Sequence, residues 1–311
     1  MNRPTRYVVT GSSGQLVLSL AELARGRTGL EIIRLGRPQF DLTDIGTIAR
    51  TIEAAKPDII VSAAAYTAVD QAEHEPETAF AVNAAGPAEL ARVADMLGVP
   101  IIHISTDYVF DGCKSAPYVE TDPVAPLGIY GRSKMEGERL VAAGAENHVI
   151  LRTAWVYSPF GKNFLRTMLK LAANQHELRI VDDQVGNPTS ALDLADALLK
   201  IGQNLLTAED PLLRGLFHIA GADEASWAEF AREIFKVSAQ NGGPVADVIG
   251  IPASAYQTPA CRPANSRLDC RKLATHHDIV MPDWRSSTAH VVGSLLQPEG
   301  SSHNAIRELS S

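Results

Sequence analysis

Tyr130 and Lys134 stand four residues apart, with Gly131, Arg132 and Ser133 between them. On a helix, positions i and i+4 share one face, so the spacing predicts a lysine ammonium beside a tyrosine phenol. One positive charge at about 4 Å, in an effective dielectric of about 20, is worth roughly 4 kcal/mol, or about three pKa units on a phenol that normally titrates near 10. That is the chemistry of a proton donor tuned toward neutrality. Upstream, the apolar run Ile101–Ser105 predicts a strand that delivers Thr106 to the same region. A hydroxyl there can donate to a carbonyl oxygen while Tyr130 supplies a proton and Lys134 holds a ribose. Taken singly, Thr106 is more commonly a turn residue bonded to its own backbone. The three together point to the reduction of a carbonyl.

A hydride donor is then required, and the N-terminus offers a place for one. Tyr7–Thr10 reads as a buried strand, followed by the turn Gly11-Ser12-Ser13-Gly14-Gln15-Leu16 and an amphipathic helix through Leu20, Leu23 and Ala24. Gly11 and Gly14 let backbone approach a pyrophosphate, whose charge meets the free N–H groups of a helix N-terminus. Val17 occupies the position of a third glycine, and local packing is expected to be disturbed there more than cofactor binding. The strand Leu30–Leu35 ends without a carboxylate for a ribose 2′-hydroxyl. Arg34 and Arg37 flank Gly36 instead, which suits a 2′-phosphate and favours NADPH over NADH, unless both arginines are merely solvated. Asp41 either meets the adenine or caps the helix that begins at Ile45.

Alternating strands and helices continue. Asp58–Ser62 is a nearly continuous apolar strand, followed by the small residues Ala63-Ala64-Ala65-Tyr66-Thr67-Ala68 at its carboxyl end, and then by a helical stretch carrying Asn83 toward Gly86. Helix 89–97 and strand 101–105 come next, and this rhythm predicts an α/β protein with a Rossmann-type doubly wound parallel sheet. Beyond it lie a strand over 149–154, a helix over 163–172, a short strand over 178–181, a helix from Thr189 to about Ile201, a strand over 215–220 and a helix over 227–235. This second half is less regular and reads as a smaller, mixed α/β substrate lobe. The expected division assigns 1–158 with 188–220 to the NAD(P)-binding domain, 159–187 with 221–297 to the lobe, and 298–311, rich in serine, to a disordered tail.

Composition narrows the partners. The chain of 311 residues is 45% hydrophobic and 21% charged, with a formal net charge of −8 and no clustered basic residues, so nucleic acid is not an expected ligand. No apolar run is long enough to span a bilayer and no secretory leader is visible, so no membrane partner is expected. Cys113, Cys261 and Cys270 are widely spaced and form neither a disulfide framework nor a zinc pattern, which fits a cytoplasmic protein. His276 and His277 are adjacent rather than spaced as ligands, so no metal residues are assigned. In the second half, Arg262, Asn265 and Arg267 form a polar cluster. The planar fork of Arg262 can pair with diphosphate oxygens, and Arg267 can equally pair with a local carboxylate.

The chain resembles the dTDP-4-dehydrorhamnose reductase family of extended short-chain dehydrogenases/reductases. The resemblance is carried by Gly11-x-x-Gly14-Gln15-Leu16, Ala63 through Asp70, Ser105-Thr106-Asp107-Tyr108-Val109-Phe110, Tyr130-Gly131-x-Ser133-Lys134, Arg152-Thr153-Ala154-Trp155-Val156-Tyr157, Asp183-Gln184-x-Gly186-x-Pro188-Thr189 and Arg262-Pro263-x-Asn265-Ser266-Arg267. It implies a small-molecule nucleotide-sugar substrate, dTDP-4-dehydro-β-L-rhamnose, reduced at carbon 4 by NAD(P)H. The resemblance places Thr106, Tyr130 and Lys134 at the reaction. It places Gly14, Gln15, Leu16, Asp41, Leu42, Ala65, Tyr66 and Thr67 against the cofactor, and Asp107 and Trp155 near the sugar. Trp155 could offer a ring face to a deoxyhexose or belong to the core. The resemblance leaves room for a homodimer and for Mg2+ at a subunit contact, although the sequence shows no ligand pattern for the ion. Two other readings stay open: a sister reductase acting on another dTDP-4-keto-6-deoxyhexose, and a non-catalytic regulatory subunit of the same fold.

Overall fold

The computed structural model describes residues 3–296, and the tail expected after Gln297 lies outside them. The chain opens with β1 (Thr5–Thr10), α1 (Gln15–Ala24), β2 (Leu30–Leu35), α2 (Ile45–Ala55) and β3 (Ile59–Ser62). Two short helices follow, α3 (Val69–Ala72) and α4 (Pro76–Phe80). A π-helical turn at Ala81–Ala85 joins α4 to α5 (Gly86–Leu97). Then come β4 (Ile101–Thr106), α6 (Ile129–Gly144), β5 (His148–Thr153), β6 (Val156–Tyr157), α7 (Phe164–Ala172), β7 (Glu177–Val181), β8 (Val185–Gly186), β9 (Thr189–Ser190) and α8 (Ala191–Thr207). The chain closes with β10 (Gly215–His218), β11 (Ala225–Ser226), α9 (Trp227–Gln240), β12 (Asp247–Ile251), α10 (Arg271–His277) and α11 (Trp284–Leu296).

Among the described residues the main sheet has six strands, all parallel, in the order β10-β5-β4-β3-β1-β2. From β1 the chain runs outward to β2 and then returns to β3 on the other side. A crevice therefore opens between the carboxyl ends of β1 and β3. Strand residues alternate between the two faces. On one face Val9, Val61, Ile102 and Leu151 pack with α1 and α8, and on the other Val8, Ile60, Ile101 and Ile150 pack with α2, α5 and α6. The centre of the sheet is thus covered on both faces, which is why its strands read as continuous apolar runs.

A third core lies beyond the sheet and joins Tyr157, Leu165, Met168, Phe230, Ile234, Trp284 and Val291 from β6, α7, α9 and α11. Its strands form two-stranded pairs, β12 with β7 in parallel and β11 with β8 antiparallel. Leu273 of α10, with Ile279 and Met281 after it, packs instead into the first core, against the sheet. Val17 is buried in that same core, and its Cγ2 lies 3.2 Å from where a side chain on Gly11 would begin. The valine closes the space beside the glycine turn, so the disturbance expected there does not occur.

Candidate active site

A cleft of about 700 Å3 runs along the carboxyl edge of the main sheet. Gly11, Gly14, Gln15 and Leu16 line it on the β1 side, and Gly11 has φ +107°, a conformation that favours glycine. Gly14 caps α1 without a side-chain hydrogen bond, and the first turn holds no acidic residue, so its N–H groups remain available to an anion. Arg37, Asp41, Leu42, Ala65 and Thr67 continue the wall, and Thr106, Asp107, Tyr130, Lys134 and Trp155 complete it. Arg34, Tyr66 and Arg262 are not part of it. Arg34 is exposed and donates to the Ser12 carbonyl at 3.2 Å. The Tyr66 phenol donates to Glu75 at 2.8 Å, and Arg262 pairs with Asp70 at 2.8 Å. Arg262 also reaches the phenol of Tyr108, a wall residue, so its influence on the cleft is indirect.

The reacting end is assembled by a close approach of α6 to the end of β4. Thr106 ends β4 and caps the short turn 107–109, where its hydroxyl accepts from the Tyr108 N–H and donates to Asp107 Oδ1 at 2.9 Å. Gly131 lets the first turn of α6 lie against that segment, since a methyl there would collide with the Tyr108 carbonyl. The rings of Tyr108 and Tyr130 meet edge to face at 5.5 Å. Glu73 accepts from the Ile129 N–H at 2.8 Å and so caps α6 from a distance. Asn83, in the π-helical turn, donates to Ser133 and bonds both backbone polar groups of Tyr66, pinning the loop after β3 to α6. The sequence placed Asn83 in a helix but gave no sign of this bridge.

The electrostatics correct the expectation for the phenol. Lys134 is buried, and its ammonium donates to the Ile104 carbonyl at 2.6 Å and lies 3.4 Å from His103 Nε2, rather than bonding Tyr130. Burial pushes Tyr130 up to about 12, opposed by the neighbouring Thr106 hydroxyl and aided by the charge of Asp107. Proximity in sequence put the lysine on the right face, but its long side chain reaches past the phenol to the strand backbone. Burial lowers Lys134 to about 8, with Glu138 pulling the other way. Burial also raises Asp107 to about 6, and its Oδ2 has no partner among the described residues. The buried hydroxyl of Thr153, on the cleft wall, likewise has none.

Three further wall residues carried no clear sequence signal. Tyr108 bridges Tyr130 and Arg262, while Gly161 and Lys162 approach from the loop after β6. That loop is tied to the first turn of α1, because Ser158 and Asn163 both donate to the Gln15 side chain at 3.0 Å. Trp155 has φ +47° and stacks on Trp227 at 3.5 Å, so it belongs to the cleft wall and to the edge of the third core at once. Among the described residues, no group of three or more His, Cys, Asp or Glu side chains could hold a metal ion, and no helix is long and apolar enough to cross a membrane.

The doubly wound sheet, the glycine turn beneath a switch-point cleft and the threonine–tyrosine–lysine set at its far end define an extended short-chain dehydrogenase/reductase. The RmlD substrate binding domain family matches over residues 5–297, and the chain belongs to that family. A dTDP-4-dehydrorhamnose reductase of Sinorhizobium fredii is 52% identical, over 94% of this chain and 98% of the relative. The crystal structure of a dTDP-4-dehydrorhamnose reductase from Clostridium acetobutylicum superposes with a TM-score of 0.87 at 34% identity, covering 94% of this chain and 100% of that one. A Bacillus anthracis dTDP-4-dehydrorhamnose reductase, solved in complex with NADP, gives 0.85 at 31% identity over 93% and 98%.

Proposed function

We propose that this protein reduces the 4-keto group of dTDP-4-dehydro-β-L-rhamnose to dTDP-β-L-rhamnose in the cytoplasm, with NADPH preferred over NADH. The observation that carries the reading is the convergence of Thr106, Tyr130 and Lys134 on one cleft whose other end is a glycine turn open to an anion. The cleft fits a dinucleotide. Its size is ample, the α1 N-terminus is uncapped, and Asp107 and Thr153 each bring an unpartnered buried oxygen to its wall.

When bound, the nicotinamide supplies the hydride, and the chain's residues do the rest. Gly11, Gly14, Gln15 and Leu16 cradle the pyrophosphate. Asp41, Leu42, Ala65 and Thr67 line the nucleoside half, Tyr66 shapes it through its backbone, and Arg37, nearer the cleft than Arg34, meets the 2′-phosphate. Tyr130 donates its proton to the substrate oxygen as negative charge develops. A phenol at about 12 is fully protonated at neutral pH and is still far more acidic than the alcohol it creates, so the transfer runs downhill. Thr106 and the Lys134 ammonium stabilise the oxygens left negative. Asp107 and Trp155 hold the sugar, and Arg262 positions Tyr108. In the proposed division, residues 1–158 with 188–220 bind the cofactor. Residues 159–187 with 221–297 close over the sugar nucleotide, with 271–281 seated on the sheet side.

The test is turnover of enzymatically generated dTDP-4-dehydro-β-L-rhamnose, followed by loss of the reduced cofactor's near-ultraviolet absorbance, with NADH in parallel and the product identified by NMR. Cofactor binding without turnover would reject this substrate.

A further inference from the structure

β4 is aliphatic at Ile101, Ile102 and Ile104, yet residue 103 is a histidine with no exposed surface. An aliphatic side chain would fill such a slot without the cost of burying an imidazole. His103 makes two side-chain contacts there. Its Nδ1 is 3.0 Å from the Oγ of Ser62, its register partner on β3, and its Nε2 is 3.4 Å from Lys134 Nζ. Gly137, three residues after Lys134 on α6, lets the helix pass close to the π-helical turn, because a side chain there would collide with the Asn83 carbonyl, and the same position lies beside the ring, 3.5 Å from Nε2.

The chemistry of the three groups fixes the proton. An ammonium can only donate, so Nε2 must accept, and the ring hydrogen then sits on Nδ1 and points to Ser62 Oγ. Lys134 has three N–H groups. One goes to the Ile104 carbonyl and a second to His103, which leaves the third for the cleft. We propose that His103, oriented by Ser62, is a positioning residue for the reduction: by accepting from Lys134 it sets the rotation of the ammonium and keeps it charged. This rests on the reading of Lys134 as the ammonium of the active site.

The groups that face the lysine are few. On its own helix Tyr130 precedes it by one turn and Glu138 follows by one turn. Glu138 is held by Arg152 of β5 at 2.8 and 2.7 Å and by Ser105 of β4 at 2.5 Å. Asp107 lies beyond the end of β4 and acts on Tyr130. Burial and the charge of Lys134 hold His103 well below the ordinary imidazole range, so it remains an acceptor throughout the working pH. Removing that acceptor disfavours the ammonium, whose titration then moves to lower pH.

The experiment compares His103→Leu, His103→Gln, Ser62→Ala and Lys134→Met. It reads kcat against pH and, separately, the NADPH dissociation constant against pH from the fluorescence of the bound reduced cofactor. In His103→Leu the alkaline limb of both profiles is expected about one pH unit lower, with the sugar-nucleotide KM unchanged, as for the loss of one hydrogen bond to a charged group. Gln restores most of the limb, because its carbonyl accepts, and Ser62→Ala moves it by a smaller amount in the same direction. If the leucine variant does not fold, the glutamine and alanine variants decide the matter by the same signs. A folded His103→Leu with the wild-type limb, or Gln and Ala variants that both shift as far as Leu, would overturn the proposal. Lys134→Met that keeps its turnover overturns the underlying reading of the lysine, whereas an inactive Lys134→Met beside an unmoved limb in the His103 variants overturns only the role of the histidine.

Discussion

The two ends of the cleft are built differently. At the reacting end, Thr106, Asp107 and Lys134 are buried, and α6 is fixed by Glu73, Asn83 and the close contact at Gly131. At the other end Arg34 and Arg37 are exposed; Arg37 makes a 3.4 Å pair with Asp41, and Arg34 makes a bond to a backbone carbonyl. The contrast shows where the molecule commits its order. The residues proposed to carry the chemistry are over-determined by packing, while those proposed to choose between dinucleotides are solvated side chains.

This difference predicts a graded response. Tyr130→Phe should lower kcat by about 10²–10⁴-fold, the range for loss of a positioned general acid, with the NADPH dissociation constant within a few-fold of wild type. A variant retaining most of its kcat would remove tyrosine as the acid. Gly131→Ala should cost about 1–3 kcal/mol in urea unfolding and at least tenfold in kcat, because α6 must retreat from the Tyr108 carbonyl. Unchanged turnover would mean that the reacting end is looser than its contacts suggest. In wild type, kcat should fall above about pH 8 as Lys134 loses its proton. Its lowered value means that folding favours the neutral amine, so the same group destabilises the fold at neutral pH and does so less as pH rises toward 10. Arg37→Ala should weaken NADPH about fivefold more than NADH, and Arg34→Ala less, by titration of each cofactor. Equal losses for both cofactors would detach the arginines from the 2′-phosphate. Smallest of all, Arg262→Ala should raise the sugar-nucleotide KM a few-fold through Tyr108, and an unchanged KM would place the arginine outside the site's influence.

Much of the sheet was legible because parallel strands covered on both faces leave an unambiguous apolar run. The predicted strands at 58–62 and 101–105 stand within one residue of those observed. The placement of Tyr130 and Lys134 on one helix was legible for the same local reason. What the spacing could not show is how far a lysine reaches. Its bond to the Ile104 carbonyl depends on α6 crossing β4, a contact between residues 30 apart in the chain. Arg262 was chosen for its chemistry, but Asp70, 192 residues away, is what holds it. Elements late in the chain such as β12, α10 and α11 went unread, since short, partly exposed elements carry little periodicity. His103 read as one more residue of a buried strand, and only its neighbours in space give it a role.

The stacked indoles of Trp155 and Trp227 sit at 3.5 Å with their planes 7° apart. Two chromophores stacked at that spacing couple their electronic transitions, to a degree set by their distance and relative rotation. Because one ring lines the cleft and the other begins α9, a shift of α9 against the cleft wall changes that coupling. The pair is therefore an intrinsic optical reporter of any change in the spacing or angle of the two rings, readable without a label.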